Sequence, residues 1–212
     1  MPDQPTPRIS SRKQPKQARS AELVSAILQA AVQVLAKEGA QRFTTARVAE
    51  KAGVSIGSLY QYFPNKAAIL FRLQSDEWRE TTEMTASILG DESRPPLERL
   101  RAQVHAFLKS ECEEAAVRVA LSDAAPLYRD APEAREVRQG SEAALDRFMR
   151  EVLPNAGDAE RALAGELLLT TLSNVGKSFS ETPRTDEEIA AWAEAMADMF
   201  SAYLEKMAGK RG

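Results

Sequence analysis

The sequence has 212 residues, of which 43% are hydrophobic and 28% charged, with one cysteine, one histidine and a net charge of −3 at pH 7. These values are typical of one soluble globular domain or two small ones, and they exclude a collagenous chain or a chain that is disordered throughout. One cysteine and one histidine also exclude an internal disulfide framework and a zinc site built from these residues.

The charge is unevenly distributed along the chain. Residues 1–72 carry 11 lysines and arginines against 4 acidic residues, a net charge of +7, whereas residues 73–212 have a net charge of −10. A basic first third on an acidic remainder predicts that the N-terminal end meets a polyanion. The alternative is a basic tail that only aids solubility.

Composition favours an all-α fold. Thirty-five alanines stand against ten glycines and eleven prolines, and alanine is a strong helix former that is depleted from strands. No apolar run approaches the roughly 20 residues that span a bilayer. No apolar stretch follows the first basic residues as it would in a secretory signal, so the expected location is the cytoplasm.

The first predicted elements are an arm and a helix. Residues 1–15 hold four prolines and three cations without helical periodicity, which predicts a flexible basic arm. A helix is predicted from about Lys16 to Glu38, and Gly39 ends it with a left-handed cap. The apolar stripe of this helix consists of Val24, Ile27, Leu28, Ala31 and Leu35.

Two short helices are predicted next. Thr44 or Thr45 caps the first of them, which ends near Ala52. Ser55 caps the second, which is predicted over residues 56–63. The glycine between the two helices is free to adopt a positive φ angle.

A long fourth helix is predicted from Asn65, which caps it, to about Leu89. Five more helices are predicted over residues 95–110, 112–124, 133–152, 158–179 and from Thr185 onward. Thr185 and Glu188 have the spacing of a capping box at the start of the last helix. The prediction is therefore an all-α protein of about nine helices.

Residues 44–63 read TTARVAEKAGVSIGSLYQYF and have the pattern of a helix-turn-helix, whose second helix enters the major groove of DNA. Gly57 is unfavourable in a helix, and close approach of its backbone to a phosphate or base would explain its presence. The Tyr60 and Tyr62 hydroxyls and the Lys66 ammonium are suited to phosphate oxygens. Short or polar side chains on the start and outer face of the second helix are suited to base edges: Ser55, Ile56, Gly57, Ser58 and Gln61.

Six short motifs lie between Ile27 and Leu70. They are AA at 30–31, EG at 38–39, TT at 44–45, AGVS at 52–55, GSLYQYF at 57–63 and NK at 65–66. Together they resemble the DNA-binding domain of the tetracycline-repressor (TetR) family. The resemblance implies nine helices, of which three bind DNA, the fourth is a link, and the rest form a ligand-sensing and dimerisation body.

The same resemblance implies residue roles and domain limits. Phosphate contacts fall on Thr45, Tyr60, Tyr62 and Lys66, and base-reading positions fall on Ser55, Ile56, Ser58 and Gln61. Ile56 departs from the polar residue that some members use, and it could contact a thymine methyl or approach a sugar. The expected domains are an arm over 1–15, a helix-turn-helix domain over 16–66 and a ligand-sensing and dimerisation domain over 67–212, with the helix at 65–89 as the link.

The last two helices are expected to form a dimer seam. The helix at 158–179 has too many apolar residues for a single stripe, so it should bury two faces. The expected seam residues are Leu168, Leu172, Val175, Trp192, Met196 and Phe200. The alternative is an intramolecular core without a partner.

Six residues of the second half are candidates to line an effector cavity. They are Trp78, His105, Phe107, Cys112, Tyr128 and Phe148. The alternative for the aromatic residues is a place in the core. The expected effector is an apolar or aromatic small molecule, which the resemblance does not identify, and no cofactor or metal is expected.

The function that fits these features best is a ligand-responsive repressor that binds a palindromic DNA operator as a homodimer, with an activator of the same fold as the alternative. A helical enzyme is less consistent with a sequence that lacks a Glu-x-x-His pair, a nucleophile elbow and a Gly-rich phosphate loop. His105 and Cys112 lie seven residues apart without a visible oxyanion device. The polar recognition helix and the basic first third argue against a helical interaction protein that has lost DNA binding.

Overall fold

Within residues 9–10, 18–128 and 142–209, which the computed structural model describes, the chain forms nine α-helices and no strand. The helices are α1 (Ala18–Arg42), α2 (Thr45–Ala52), α3 (Ile56–Tyr62), α4 (Lys66–Leu89), α5 (Pro96–Glu113), α6 (Ala115–Ala124), α7 (Glu142–Val152), α8 (Asp158–Ser180) and α9 (Asp186–Gly209). A short 3-10 turn over Ala125–Leu127 follows α6. The predicted all-α fold is confirmed.

Parts of two predicted elements lie outside the described residues. The predicted basic arm is described only at Ile9 and Ser10, and the helix predicted over 133–152 is described only from Glu142. Ile9 is 2% exposed and packs in the apolar core of the N-terminal helices. At this position the prediction of a flexible arm is wrong, because an isoleucine side chain gains more from burial than from solvent.

Side-chain caps determine where α2 and α4 begin. Thr44 Oγ1 accepts a hydrogen bond from the Arg47 amide at 3.3 Å, and Asn65 Oδ1 accepts one from the Ala68 amide at 2.9 Å. The Thr44 and Asn65 caps predicted from the sequence are therefore confirmed.

Two glycines with positive φ interrupt the N-terminal helices. Gly39 has φ 73° and separates the regular part of α1 from its last turn, and Gly53 has φ 67° and ends α2. Both angles lie in the left-handed region, which glycine adopts without steric cost. The positive φ expected at Gly39 is found, but its ψ of 173° differs from that of a left-handed helical cap, and α1 continues for one turn beyond it.

The chain divides into two compact units. Unit 1 comprises Met1–Arg79 and Ala116–Arg138, and unit 2 comprises Glu80–Ala115 and Gln139–Gly212. α4 contributes residues to both units. The unit that contains the helix-turn-helix thus extends past residue 66, the limit expected from the sequence.

The core of unit 1 joins α1, α2, α3 and the first half of α4. Ile27, Leu35, Phe43 and Leu59 are fully buried in it. Residues 19–42 of α1 are long and apolar enough to pass a length-and-composition criterion for a membrane span, as does no other helix of the described chain. Four of the five residues of its apolar stripe, Val24, Ile27, Ala31 and Leu35, are buried in the core of unit 1, and Leu28 packs against it, as in a core helix.

α6 is attached to α4 within unit 1 by aromatic and polar contacts. The rings of Phe71 and Tyr128 lie 5.8 Å apart, and the Tyr128 hydroxyl donates to the Leu121 carbonyl at 3.1 Å. Arg118 forms a largely buried ion pair with Glu77. These contacts explain why the segment after Ala115 belongs to unit 1.

Unit 2 is organised around α5, which packs against α7, α8 and α9. Val104 and Leu108 on α5 are fully buried, as are Ala197 and Leu204 on α9. A Cβ atom added to Gly176 would lie 3.0 Å from the Phe107 ring, so this glycine permits the close approach of α8 to α5.

We expect Gly53→Ala to lower the free energy of unfolding by about 1–2 kcal/mol, because a left-handed backbone brings a Cβ atom close to the following carbonyl oxygen. The loss is due to the backbone alone, since a Cβ added at Gly53 meets nothing within 4 Å. Gly53→Asn is the matched control with a smaller loss, because asparagine tolerates this region. Denaturant unfolding measures both variants, and an alanine variant as stable as the wild type would contradict the prediction.

Candidate nucleic-acid interface

The helix-turn-helix is formed by α2, α3 and the turn between them. Val48 and Ala49 anchor α2 in the core, and Leu59 and Tyr62 anchor α3. Ser55 is the N-cap of α3, where its Oγ accepts a hydrogen bond from the Ser58 amide at 3.0 Å and lies 2.8 Å from Ser58 Oγ. The turn and the start of α3 are therefore held by local hydrogen bonds.

The remaining face of α3 is open to solvent. Ser55, Ile56, Gly57, Tyr60 and Gln61 are exposed, and Ser58 is partly exposed. Ile56 is 42% exposed although it is apolar, so the core does not account for its side chain. The structure thus brings all the predicted base-reading residues to one end and one outer face of the same short helix.

Gly57 has no structural requirement within the unit. Its φ angle is not positive, and the nearest atom to an added Cβ would be Ser55 Oγ at 3.9 Å, an ordinary contact distance. Glycine in a helix costs about 0.5–1 kcal/mol relative to alanine. Packing and backbone conformation therefore do not explain Gly57. The remaining explanation is the one predicted from the sequence, a close approach of a phosphate or base to its backbone.

Three of the four predicted phosphate contacts lie on the exposed side of the unit. Thr45 Oγ1 and the Tyr60 hydroxyl are hydrogen-bonded at 3.0 Å, which joins the first residue of α2 to α3. Lys66 is exposed at the first residue of α4. Hydroxyl and ammonium groups of this kind donate to phosphate oxygens.

The burial of Tyr62 does not support the phosphate contact that the sequence predicted for it. Tyr62 is only 8% exposed and packs in the core of unit 1, three residues after Leu59 and therefore on the same helix face. Arg47, which the sequence analysis did not single out, is exposed on α2, where it pairs with Glu38 and donates to the Arg42 carbonyl at 3.2 Å. The sequence signal that could have found Arg47 was a cationic residue in the first turn of α2.

The predicted seam residues of unit 2 need a larger correction. Leu168, Leu172, Met196 and Phe200 are buried in the intramolecular core, and Val175 is partly buried. The reason is that these faces of α8 and α9 already pack within unit 2. Trp192 is the one predicted seam residue that is largely exposed. The other exposed large apolar side chains on these two helices are Leu163, Leu167, Leu169 and Met199.

The six predicted effector residues fall in different units. Trp78 and Tyr128 belong to unit 1, and the other four belong to unit 2. Tyr128, Phe107 and Phe148 have core contacts, which was the alternative for them, and a role in a cavity stays a prediction. A cavity of about 550 Å³ in unit 2 lies between the α7–α8 loop and the end of α9, and its lining includes none of the six.

The two remaining polar candidates have ordinary surroundings. His105 Nε2 lies 3.0 Å from a Glu194 carboxylate oxygen, and hydrogen bonds from Arg101 and then His105 lower the pKa of Glu194. Cys112 is partly buried, and burial raises the pKa of its thiol, which disfavours the reactive thiolate. No cluster of three or more metal-ligating side chains occurs within the described residues.

Two family models match most of the chain. Residues 27–73 match the model of bacterial regulatory proteins of the tetR family, and residues 95–207 match the tetracyclin repressor-like C-terminal domain. The second match alone spans more than half of the sequence. It begins within one residue of the start of α5 and ends within α9.

Similar proteins agree with this assignment. The nucleoid occlusion factor SlmA of Vibrio campbellii is 45% identical over 85 residues, which cover 39% of this chain and 42% of SlmA. The HTH-type transcriptional repressor KstR of Rhodococcus jostii is 28% identical over 138 residues, which cover 65% of this chain and 63% of KstR. The chain therefore matches less than two thirds of the length of either relative.

The fold is also shared with a solved regulator. The transcriptional regulator FadR of Bacillus subtilis, solved in complex with stearoyl-CoA, has a TM-score of 0.66 at 18% identity, with 84% of this chain and 97% of FadR covered. At this level of identity the likeness concerns the fold alone. The two family matches, one of them over more than half of the sequence, show that the chain belongs to the TetR family of bacterial regulatory proteins.

Proposed function

We propose that this TetR-family regulator is a ligand-responsive transcriptional repressor that acts in the cytoplasm and binds a palindromic operator as a homodimer. The observation that carries the proposal is the exposed polar face of α3, where Gly57 lacks any structural requirement. An exposed short helix at a helix-turn-helix is the element that enters the major groove. If the bound protein recruits RNA polymerase to a promoter, the same DNA contacts activate transcription instead.

Phosphate and base contacts have different consequences in this interface. Lys66 and the Thr45–Tyr60 pair donate to the backbone of any sequence, so they set affinity and register. Gln61 carries an amide that can form paired hydrogen bonds with one adenine, and Ser55 and Ser58 carry hydroxyls that suit several bases. The proposal assigns sequence preference to the start and outer face of α3.

We expect Gly57→Ala to raise the free energy of unfolding by about 0.5–1 kcal/mol while it lowers operator affinity. The added methyl group has space in the free protein but occupies the approach path of the DNA. Gly209→Ala is the matched control: it is also helical and open around its Cβ, and it should leave DNA affinity unchanged. Unfolding and fluorescence-anisotropy titrations measure the two effects, and undiminished DNA affinity of Gly57→Ala would contradict the proposed approach.

Gln61→Ala should change base preference at one operator position by about 1–3 kcal/mol. Lys66→Ala should instead weaken binding to all sequences alike and reduce the salt dependence by about one counterion, because a phosphate contact carries no sequence information. Selection from a random duplex library at two salt concentrations separates these outcomes. Identical base preferences for Gln61→Ala and wild type would remove Gln61 from the reading surface.

The exposed apolar residues of α8 and α9 support the homodimer. Leu163 and Leu167 are separated by one helical turn on α8, and Trp192 and Met199 by two turns on α9, so each pair lies on one exposed face. Trp192 is 49% exposed and Met199 is 52% exposed. A second copy of the chain would cover this apolar surface and would place two recognition helices on the two half-sites of a palindrome.

We expect Leu167→Arg to yield a monomer with lost operator binding, because the seam would then bury a charge without a partner. The variant tests the seam without disturbing the core, since Leu167 is 47% exposed in the single chain. Lys109→Glu, a charge reversal at an exposed position of α5, is the control that should remain a dimer. Sedimentation equilibrium measures the mass, and a fully dimeric Leu167→Arg protein would show that this face is not the seam.

The effector controls DNA binding through thermodynamic linkage. A ligand that binds the DNA-incompetent state more tightly lowers operator affinity, and the operator lowers ligand affinity by the same factor. A coupling of about 1–3 kcal/mol corresponds to roughly 5–150-fold release. The stearoyl-CoA complex of FadR supports an effector with a large apolar part.

A further inference from the structure

Buried polar side chains are concentrated on one face of α5. Four polar or charged side chains are buried among the described residues, and three of them, Arg99, Gln103 and Glu111, lie on this helix. Their separations of four and eight residues place them on one stripe, with Phe107 between Gln103 and Glu111. The stripe lies in the interior of unit 2.

Two of these side chains have hydrogen-bonding atoms that the protein leaves unpaired. Arg99 donates to the Leu89 carbonyl and pairs with Glu151, yet its Nε has no partner. Gln103 Nε2 donates to Thr85 Oγ1 at 2.9 Å, yet its Oε1 has no partner. Buried polar atoms are nearly always paired, so two unpaired atoms one helical turn apart require an explanation.

A hydroxyl group carries both the acceptor and the donor that these two atoms require. It accepts a hydrogen bond from the Arg99 Nε–H and donates one to Gln103 Oε1. Arg99 and Gln103 lie one helical turn apart on the same face of α5, so their side chains extend from neighbouring positions. If the Gln103 amide rotates by 180°, a hydroxyl still serves, because it then accepts from the amide NH₂.

Charge favours a neutral hydroxyl over a carboxylate at this place. The Arg99 guanidinium is already paired with Glu151, so a second anion would be left without a counterion. Gln103 Oε1 is itself an acceptor and repels a carboxylate oxygen. The nearest buried neighbours of the pair along α5, Leu100, Val104 and Phe107, are apolar, so an apolar body suits the rest of the ligand.

We propose that Arg99 and Gln103 form the polar recognition site of the effector and bind a hydroxyl group carried by an apolar molecule. The proposal rests on the proposed function, because it deepens the effector part of it. Gln103 Oε1 gives specificity: a molecule of the same shape without a hydroxyl donor leaves this buried oxygen unpaired. A fixed water between the two side chains is the competing occupant.

The first test uses the protein without ligand. Thr85→Val removes the hydrogen bond from Gln103 Nε2 but keeps Gln103 Oε1. Relative to Thr85→Val, Gln103→Leu should leave the midpoint of thermal unfolding unchanged or raise it by about 2–4 °C, because it also removes a buried oxygen that has no partner. Ser201→Ala is the matched control, since Ser201 Oγ on α9 is also buried and unpaired. A fall of the midpoint for Gln103→Leu that clearly exceeds the fall for Thr85→Val, with Ser201→Ala unchanged, would show that a water satisfies Gln103 Oε1 and would overturn the proposal.

The second test uses two pairs of probes that differ only in the hydroxyl donor: 1-decanol with decyl methyl ether, and 4-phenylphenol with 4-methoxybiphenyl. In at least one pair the hydroxyl compound should raise the unfolding midpoint of the wild type more than its ether does. Gln103→Leu should abolish this difference, and Ser201→Ala should retain it. Equal shifts within both pairs for the wild type, or a difference that persists in Gln103→Leu, would overturn the proposal.

A DNA-binding measurement on the same samples separates the two proposals. Wild-type protein without probe should bind the DNA that flanks its gene, and the bound hydroxyl compound should weaken that binding. A wild type that does not bind this DNA contradicts the proposed function. A wild type that binds DNA but does not distinguish the members of either probe pair contradicts only the hydroxyl site.

Discussion

The position of α3 depends on the burial of Leu59 and Tyr62 against the core of unit 1. A helix of seven residues is too short to be stable by its own backbone hydrogen bonds, so tertiary packing must hold it. Because both anchors lie on one face, the rest of the helix faces outward. The Ser55 cap and the Thr45–Tyr60 hydrogen bond then determine the exposed surface.

The same unit includes a segment distant in sequence. Arg118 and Tyr128 attach α6 and the following turn to the first half of α4, through Glu77 and Phe71. An ion pair with this little solvent contact is costly to break, since removal of one partner leaves a buried charge. The body that carries the helix-turn-helix therefore includes residues on both sides of α5 in the sequence.

In unit 2, α5 packs in the core and also carries two buried polar atoms that have no hydrogen-bond partner. Arg99 connects the end of α4 to α7, while its Nε and the neighbouring Gln103 oxygen remain unpaired. Functional sites commonly retain such groups, because a ligand that pairs them gains the free energy that the free protein lacks. An apolar residue at position 103 would pack in the core without an unpaired oxygen, but it could not form a hydrogen bond with a ligand.

Features that depend on neighbours in the chain could be predicted from the sequence. The Thr44, Ser55 and Asn65 caps and the positive φ angles of Gly39 and Gly53 are local, so each follows from a residue and its next few neighbours. The exposed α3 surface follows from the same local pattern, and two of the six TetR motifs, AGVS and GSLYQYF, form its turn and helix.

Burial on long apolar helices was decided by tertiary packing. Leu167 and Leu168 are chemically identical neighbours on α8, yet one is 47% exposed and the other 4%, because only the packing of α8 on α5 and α7 selects the face. Tyr60 and Tyr62 differ for the same reason. An arginine and a glutamine at positions 99 and 103 give no sign of burial in sequence, since such side chains are mostly exposed. Their burial, and the unpaired atoms that follow from it, arise from contacts with residues far away in the chain.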